Sequence, residues 1–196
     1  MQPHCIYINL DRREDRRVEI ESELAKMNLT AERFPAIARS PGGLGCTHSH
    51  LAVLKLARAR GYESVLVFED DFAFCVEPEE FHSAMKSIPS SFDVILLAYN
   101  LIRGSPTNLP TLGRVFEAQA ASAYIVHSRY YTTLIEQWEK GVELYEANPH
   151  QHWLYINDQY WKPLQLKGTW YYFVRPLGMQ RPSWSDLGQQ YMDTYR

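Results

Sequence analysis

The 196-residue chain has no apolar run near the ~18 residues that suggest a membrane-spanning helix. Its start, Met1-Gln2-Pro3-His4-Cys5, lacks the basic, long apolar and small-residue segments of a secretory leader. A cytoplasmic location is therefore expected. Cys5, Cys46 and Cys75 form no CxxC pair, and three cysteines cannot make a complete disulfide set, so reduced thiols are expected. Neither sign of charge dominates. A formal net charge of −3 draws the molecule as a whole to neither nucleic acid nor an anionic membrane. Repeats and low-complexity segments are absent too. The hydrophobic share of 45% and charged share of 22% exclude a disordered or fibrous chain, and the length suits one domain.

The first half alternates strand and helix signals. Cys5 to Leu10 is β-branched and aromatic and predicts a strand. Asp11 with Glu14 has the spacing of a capping box. Ile20, Leu24 and Met27 give the following helix one apolar stripe, with a stop near Asn28. Arg33 to Ile37 predicts a short strand. Ser40 to Gly45, rich in Gly and Pro, predicts a loop. Thr47 then caps a helix running to Arg60, with Gly61 as its stop. Val65-Leu66-Val67-Phe68 is uniformly apolar, as expected of a strand buried on both faces. A helix marked by Phe81, Met85 and Ile88 and a strand over Asp93 to Leu97 complete the pattern of a mainly parallel sheet covered by helices. In the second half, Val115 to Ala118, Ala123 to Val126 and Tyr171 to Val174 predict strands. A helix capped by Ser128 carries Tyr131, Leu134, Ile135 and Trp138 on one face. Asn100 to Gly113 reads as a surface excursion, and the tail from Gln180 as polar loop.

Open parallel sheets bind ligands beyond the C-terminal ends of their strands. Glu69-Asp70-Asp71 stands there, after the most apolar strand. Three adjacent carboxylates repel one another, and a cation joining them lowers that cost. Hard oxygen donors suit Mg²⁺ or Mn²⁺, whose shells are commonly completed by substrate phosphates and water. Alternation along an extended segment turns Glu69 and Asp71 to the ion and Asp70 towards a sugar or ribose. The competing reading is a solvated acidic turn.

The ordered set Tyr7-Ile8-Asn9-Leu10-Asp11-Arg12-Arg13 with Arg16-Arg17, Arg33 to Ala36, Gly45-Cys46-Thr47-His48-Ser49-His50-Leu51, Val67 to Asp71, Ala123 to Val126 and Ser183 to Leu187 resembles glycosyltransferase family 25. That family includes bacterial lipooligosaccharide galactosyltransferases and collagen galactosyltransferases. The resemblance implies a single α/β domain of GT-A (Rossmann-like) type, with a nucleotide-sugar half over 1–99 and an acceptor half over 100–196. It further implies a UDP-galactose or UDP-glucose donor, Mn²⁺, inversion at the anomeric carbon, and a glycan, lipooligosaccharide or protein hydroxyl as acceptor.

Roles follow from that chemistry. Asp71 is expected to be the main metal ligand and Glu69 a secondary one, with Asp70 on the donor sugar or ribose. Asn9, Leu10, Arg12 and Arg17 are expected at the nucleotide, since the arginine fork suits phosphates and Arg17 lies near the apolar stripe of its helix. Ser49 and His50 are placed at a helix start, where free N–H groups favour anions. Asp158, flanked by aromatics, is the expected base for the acceptor hydroxyl, and Asp186 the second candidate for base or metal contact. His48, His150 and His152 are read as non-chemical and Cys46 as a packing residue. The tryptophans and tyrosines between Trp153 and Tyr172 are assigned mainly to packing. Two other readings compete: a protein of the same fold that binds nucleotide sugar or glycan without turnover, and a metal-dependent phosphohydrolase.

Overall fold

A computed structural model describes residues 3–185 and 190–192. The first half follows the expected alternation: β1 (His4–Asn9), α1 (Glu14–Lys26), β2 (Ala31–Pro35), α2 (Gly42–Ala59), β3 (Ser64–Glu69), β4 (Phe72–Phe74), α3 (Pro78–Lys86) and β5 (Val94–Pro106). Then come β6 (Leu112–His127), α4 (Tyr131–Ala147), the short helices α5 (His152–Tyr155), α6 (Asn157–Tyr160) and α7 (Lys162–Lys167), and the strands β7 (Trp170–Phe173), β8 (Gly178–Gln180), β9 (Ser183–Ser185) and β10 (Gln190–Met192).

Six strands form the main sheet in the order β2-β1-β3-β6-β5-β7. All run one way except β6, which is antiparallel to β3 and β5. β3 is inside the sheet, paired on both edges, and its alternate residues feed two cores. Val65 and Val67 face one that holds Leu51, Leu54, Leu134 and Trp138 of α2 and α4. Leu66 and Phe68 face another that holds Ile20, Leu24 and Phe81 of α1 and α3. That two-sided burial is why the strand shows no polar alternation. The α4 stripe of Tyr131, Leu134, Ile135 and Trp138 is buried as expected. No helix among the described residues is long and apolar enough to cross a membrane.

Several boundaries differ from expectation. No capping box opens α1: the helix starts at Glu14 without a side-chain cap, and Asp11 instead accepts from Arg33 Nη2 at 2.6 Å. α2 begins within the presumed glycine loop, at Gly42 after Pro41. Thr47 therefore lies inside the helix and turns its hydroxyl back to the Gly43 carbonyl at 3.0 Å. Asn100 to Gly113 is largely strand, because β5 and β6 continue their pairing through register shifts as far as Pro106 and Gly113. Backbone pairing holds that ribbon while residues 101–104 stay exposed, so side-chain patterning carried no signal of it. Gln180, expected in loop, closes β8 against Phe72 of β4.

Candidate functional site

β1 and β3 run parallel and end side by side at Asn9 and Glu69. Beyond them opens a cleft of about 840 Å³, counting its mouth and the solvent in it. Leu10, Arg12, Arg13 and Arg16 form one wall, the segment from Ala36 to Arg39 another, and Gly42, Cys46 and His50 of α2 a third. Glu69, Asp70 and Asp71 line the floor with Gln180. All three carboxylates face the cleft because β3 ends at Glu69 and the chain turns there. Strand alternation does not extend past that point, so the expected separation of Asp70 from the other two is not seen.

Each carboxylate has its own surroundings. Asp70 accepts from Asn9 Nδ2 at 2.8 Å and from Arg16 Nη1 at 3.0 Å. Burial raises its carboxyl above the ordinary value, against the pull of Arg16 and Asn9. Asp71 Oδ2 accepts from Arg16 Nη1 at 3.1 Å and from Gln180 Nε2 at 3.0 Å. Burial, reinforced by the Glu69 charge, pushes Asp71 up to about 7. Its second oxygen, Oδ1, is buried and has no hydrogen-bond partner among the described residues. A buried acceptor without a donor is costly, and a cation relieves both that cost and the crowding of charge.

Glu69 is tied to the core. His50, wholly buried, has Nε2 2.9 Å from Glu69 Oε1 and Nδ1 2.7 Å from the Tyr124 hydroxyl. An ionised carboxylate only accepts, so Nε2 donates to Glu69, and Nδ1 meets the Tyr124 hydroxyl on the other side of the ring. Burial pushes Glu69 up, but the His50 hydrogen bond and the charges of His50 and Arg16 outweigh it, leaving the carboxyl below its usual value. Cys46 Sγ lies 3.7 Å from the same Glu69 oxygen. Burial and the Glu69 charge hold that thiol well above its ordinary value, which argues against a nucleophilic thiolate. Cys46, His50 and Glu69 nevertheless present ligand atoms within 4.8 Å of one another. The cleft thus offers two donor sets for a metal: the carboxylates alone, and a mixed thiol, imidazole and carboxylate group.

Of the residues expected at the nucleotide, Leu10 and Arg12 line the cleft. Asn9 lies just beneath, donating to Asp70 and to the Arg13 carbonyl and accepting from Arg33 Nε. Arg17 does not turn inward; it is half exposed and pairs with Glu21 at 3.0 Å. Arg16 is the inward residue, and the signal was present: Arg16, Ile20 and Leu24 recur at four-residue spacing, the face that packs on the sheet. Ser49 and His50 are in the middle of α2, so their backbone N–H groups are not those of a helix start. The Ser49 hydroxyl donates to the Gly45 carbonyl and accepts from the Ile37 N–H, which fixes the wall at Ile37. Arg13, Arg39 and Gln180 also line the cleft although no expectation placed them there. Gln180 joins through β8, a long-range pairing with no local signature.

Asp158 is not in the lining. Its Oδ2 accepts from the Ala120 N–H at 2.9 Å, where the backbone of β6 adopts a left-handed φ of 72°. Burial, then the Glu69 charge, raises its carboxyl. Asp186 lies outside the described residues, His150 is exposed, and the His152 side chain is likewise outside them. Trp161 and Trp170 are fully buried and pack edge to face, whereas Trp153 is exposed.

In sequence, no family model and no curated protein matches the chain, so the assignment to family 25 gains no support there. In structure, the chain is similar to a glycosyltransferase involved in the glycosylation of the major capsid of PBCV-1. The TM-score is 0.57 at 10% identity, over 96% of this chain and 97% of that one. It is also similar to a mannose-1-phosphate geranyltransferase from Thermus thermophilus, with a TM-score of 0.50 at 9% identity, over 93% of this chain and 61% of that one. At identities this low the likeness shows the fold alone: mixed α/β, with a mostly parallel sheet flanked by helices.

Proposed function

We propose that the chain is a metal-dependent, inverting glycosyltransferase that moves a hexose, galactose or glucose, from a UDP-sugar to a hydroxyl of a glycan, lipooligosaccharide or protein. One observation carries the reading. Three carboxylates, one with a buried oxygen lacking any donor among the described residues, face an arginine-lined wall across one cleft at the C-terminal ends of β1 and β3. A carboxylate floor fits a divalent cation and an arginine wall fits phosphates. A nucleotide sugar bound through its diphosphate needs both.

Asp71, with Glu69, would hold the cation; Mn²⁺ or Mg²⁺ suits this oxygen set. The mixed group is a poorer choice, because His50 and Glu69 already satisfy each other and the thiol keeps its proton. When bound, the ion supplies Lewis-acid stabilisation of the departing diphosphate. The remaining work falls to the chain. Arg12, Arg13 and Arg39 offset phosphate charge. Asp70, held by Asn9, accepts from hydroxyls of the ribose or donor sugar. His50 and Tyr124 hold Glu69 in one orientation from behind. Asp158 is already committed to the Ala120 backbone, so we give it the bend of β6 rather than the acceptor proton, and Asp186 keeps the proposed role of base.

The test is a panel of nucleotide sugars incubated with the protein and Mn²⁺, with release of nucleoside diphosphate as readout. Release from UDP-hexoses that stops on chelation is expected. No metal-dependent release and no UDP binding would overturn the reading.

A further inference from the structure

Arg16 occupies an unusual position for a phosphate-binding arginine. One nitrogen, Nη1, bridges Asp70 Oδ1 at 3.0 Å and Asp71 Oδ2 at 3.1 Å. The side chain is only 12% exposed. A cation held by Asp71 Oδ2 would stand where this guanidinium stands. The wider lining bears on the same point. Arg12, Arg13 and Arg39 line the same cleft, with Arg13 also paired to Asp15 at 2.8 Å, so Arg16 is the arginine seated on the carboxylate floor. A bare divalent ion must displace Arg16 and leave that buried guanidinium without a carboxylate partner at Asp71. An ion arriving with a nucleoside diphosphate brings its own negative charge and offers the released guanidinium new acceptors.

We propose that Arg16 is a built-in competitor for the cation site, one that makes metal binding conditional on a nucleoside diphosphate. Without nucleotide, Arg16 neutralises Asp70 and Asp71, holds both in place and keeps a free ion out. With nucleotide, the guanidinium moves from the carboxylates to the diphosphate, the ion takes over the vacated Asp71 oxygen, and Asp70 is released to hydroxyls of the ribose or sugar. Metal and nucleotide therefore bind as a coupled pair. The coupling free energy is reciprocal: whatever factor UDP adds to Mn²⁺ affinity, Mn²⁺ adds to UDP affinity. This inference rests on the cation and diphosphate reading above and adds the order in which the site fills.

The experiment titrates Mn²⁺ into the intact protein, with and without saturating UDP, following free Mn²⁺ by its electron paramagnetic resonance signal. For the unaltered chain, weak binding of Mn²⁺ alone and binding at least about tenfold tighter with UDP are expected. Arg16→Met should bind Mn²⁺ alone about tenfold more tightly than the unaltered chain, and the gain from UDP should shrink. Arg16→Lys keeps the charge but not the planar fork; it should lie between the two, and it serves if the methionine variant does not fold. Arg39→Met removes a cleft arginine from the wall opposite Arg16; it should weaken UDP without tightening Mn²⁺ alone. If the unaltered chain binds Mn²⁺ with UDP, but Arg16→Met and Arg16→Lys bind Mn²⁺ alone no more tightly than it does, the competitor role is wrong and the functional reading stands. If the unaltered chain binds no Mn²⁺ even with UDP, the functional reading itself fails.

Discussion

His50 Nε2 and Glu69 Oε1 stand 2.9 Å apart, a bond that joins the middle of α2 to the end of β3 below the cleft. The imidazole is wholly buried, with its other nitrogen at the Tyr124 hydroxyl, so its reach to a ligand runs through Glu69. Partners of this kind orient a ligating carboxylate, and losing one typically costs about 10- to 100-fold in metal affinity or activity. His50→Ala is expected to weaken Mn²⁺ binding in the presence of UDP by that order. His50→Gln, whose amide can still donate to Glu69, should recover part of it. Equal Mn²⁺ affinity in all three proteins, measured by calorimetry, would remove His50 from the site.

Asp71 is placed to hold the ion, and its substitution isolates that role. Asp71→Asn preserves size and leaves the neighbouring Gln180 and Arg16 with an acceptor. Metal-dependent turnover should fall by roughly a hundredfold or more, as when a charge-stabilising group is removed from a transition state. The melting temperature should hold or rise, since a buried carboxyl crowded by Glu69 is replaced by a neutral amide. Full metal-dependent turnover in this variant would refute the assignment.

For Asp158, a structural role and a role as base predict opposite outcomes. The carboxylate accepts from the N–H of Ala120, whose left-handed backbone is unfavourable for a residue with a side chain. Asp158→Ala orphans that N–H and should cost about 1–3 kcal/mol of stability, read as a drop in denaturation midpoint. Asp158→Asn retains an acceptor and should keep both stability and turnover. A stable Asp158→Asn protein with turnover reduced by about a hundredfold would restore Asp158 as the base.

Gly45 sets the spacing between α2 and the cleft wall. A Cβ there would overlap the Ile37 carbonyl oxygen and approach the Arg39 nitrogen to 2.9 Å. Both belong to backbone that cannot give way cheaply. Gly45→Ala should therefore destabilise by about 1–3 kcal/mol through overpacking and weaken UDP binding by displacing the wall. Thermal melting and UDP titration check the two effects separately.

Glu23 links stability to pH away from the metal site. It is 6% exposed and accepts from the Phe74 N–H at 2.9 Å and from Lys26 at 2.5 Å, with Arg181 at 3.1 Å. Burial pushes the carboxyl up, but these donors outweigh it and leave it below its ordinary value. A group depressed in the folded state stabilises fully above its unfolded value and loses that contribution as pH falls through its folded value. Glu23→Gln is expected to lower the melting temperature at pH 7. The difference should narrow as pH falls below the ordinary carboxylate range and the depressed carboxyl of the unaltered chain takes up its proton. A difference independent of pH would assign the effect to packing.

Local features told much of this in advance. The uniformly apolar Val65 to Phe68, its position before Glu69, and the helix stripes of α1 and α4 depend on residues near one another in sequence, and each lies where its pattern put it. The strand-end rule then located the cleft. The rest depended on contacts between distant parts of the chain. Arg16 shares the four-residue spacing of Ile20 and Leu24, which marks it as inward, but that spacing does not name Asp70 and Asp71 as its partners. Gln180 reaches Asp71 because β8 pairs with β4, and Asp158 reaches Ala120 because α6 lies under a bend of β6. The sequence by itself determined a carboxylate cluster at the end of a buried strand, because periodicity and composition are local. Which groups the inward arginine meets, and which carboxylate is held by His50, were decided by tertiary packing, since hydrogen bonds spanning 19 to 109 residues leave no trace in spacing.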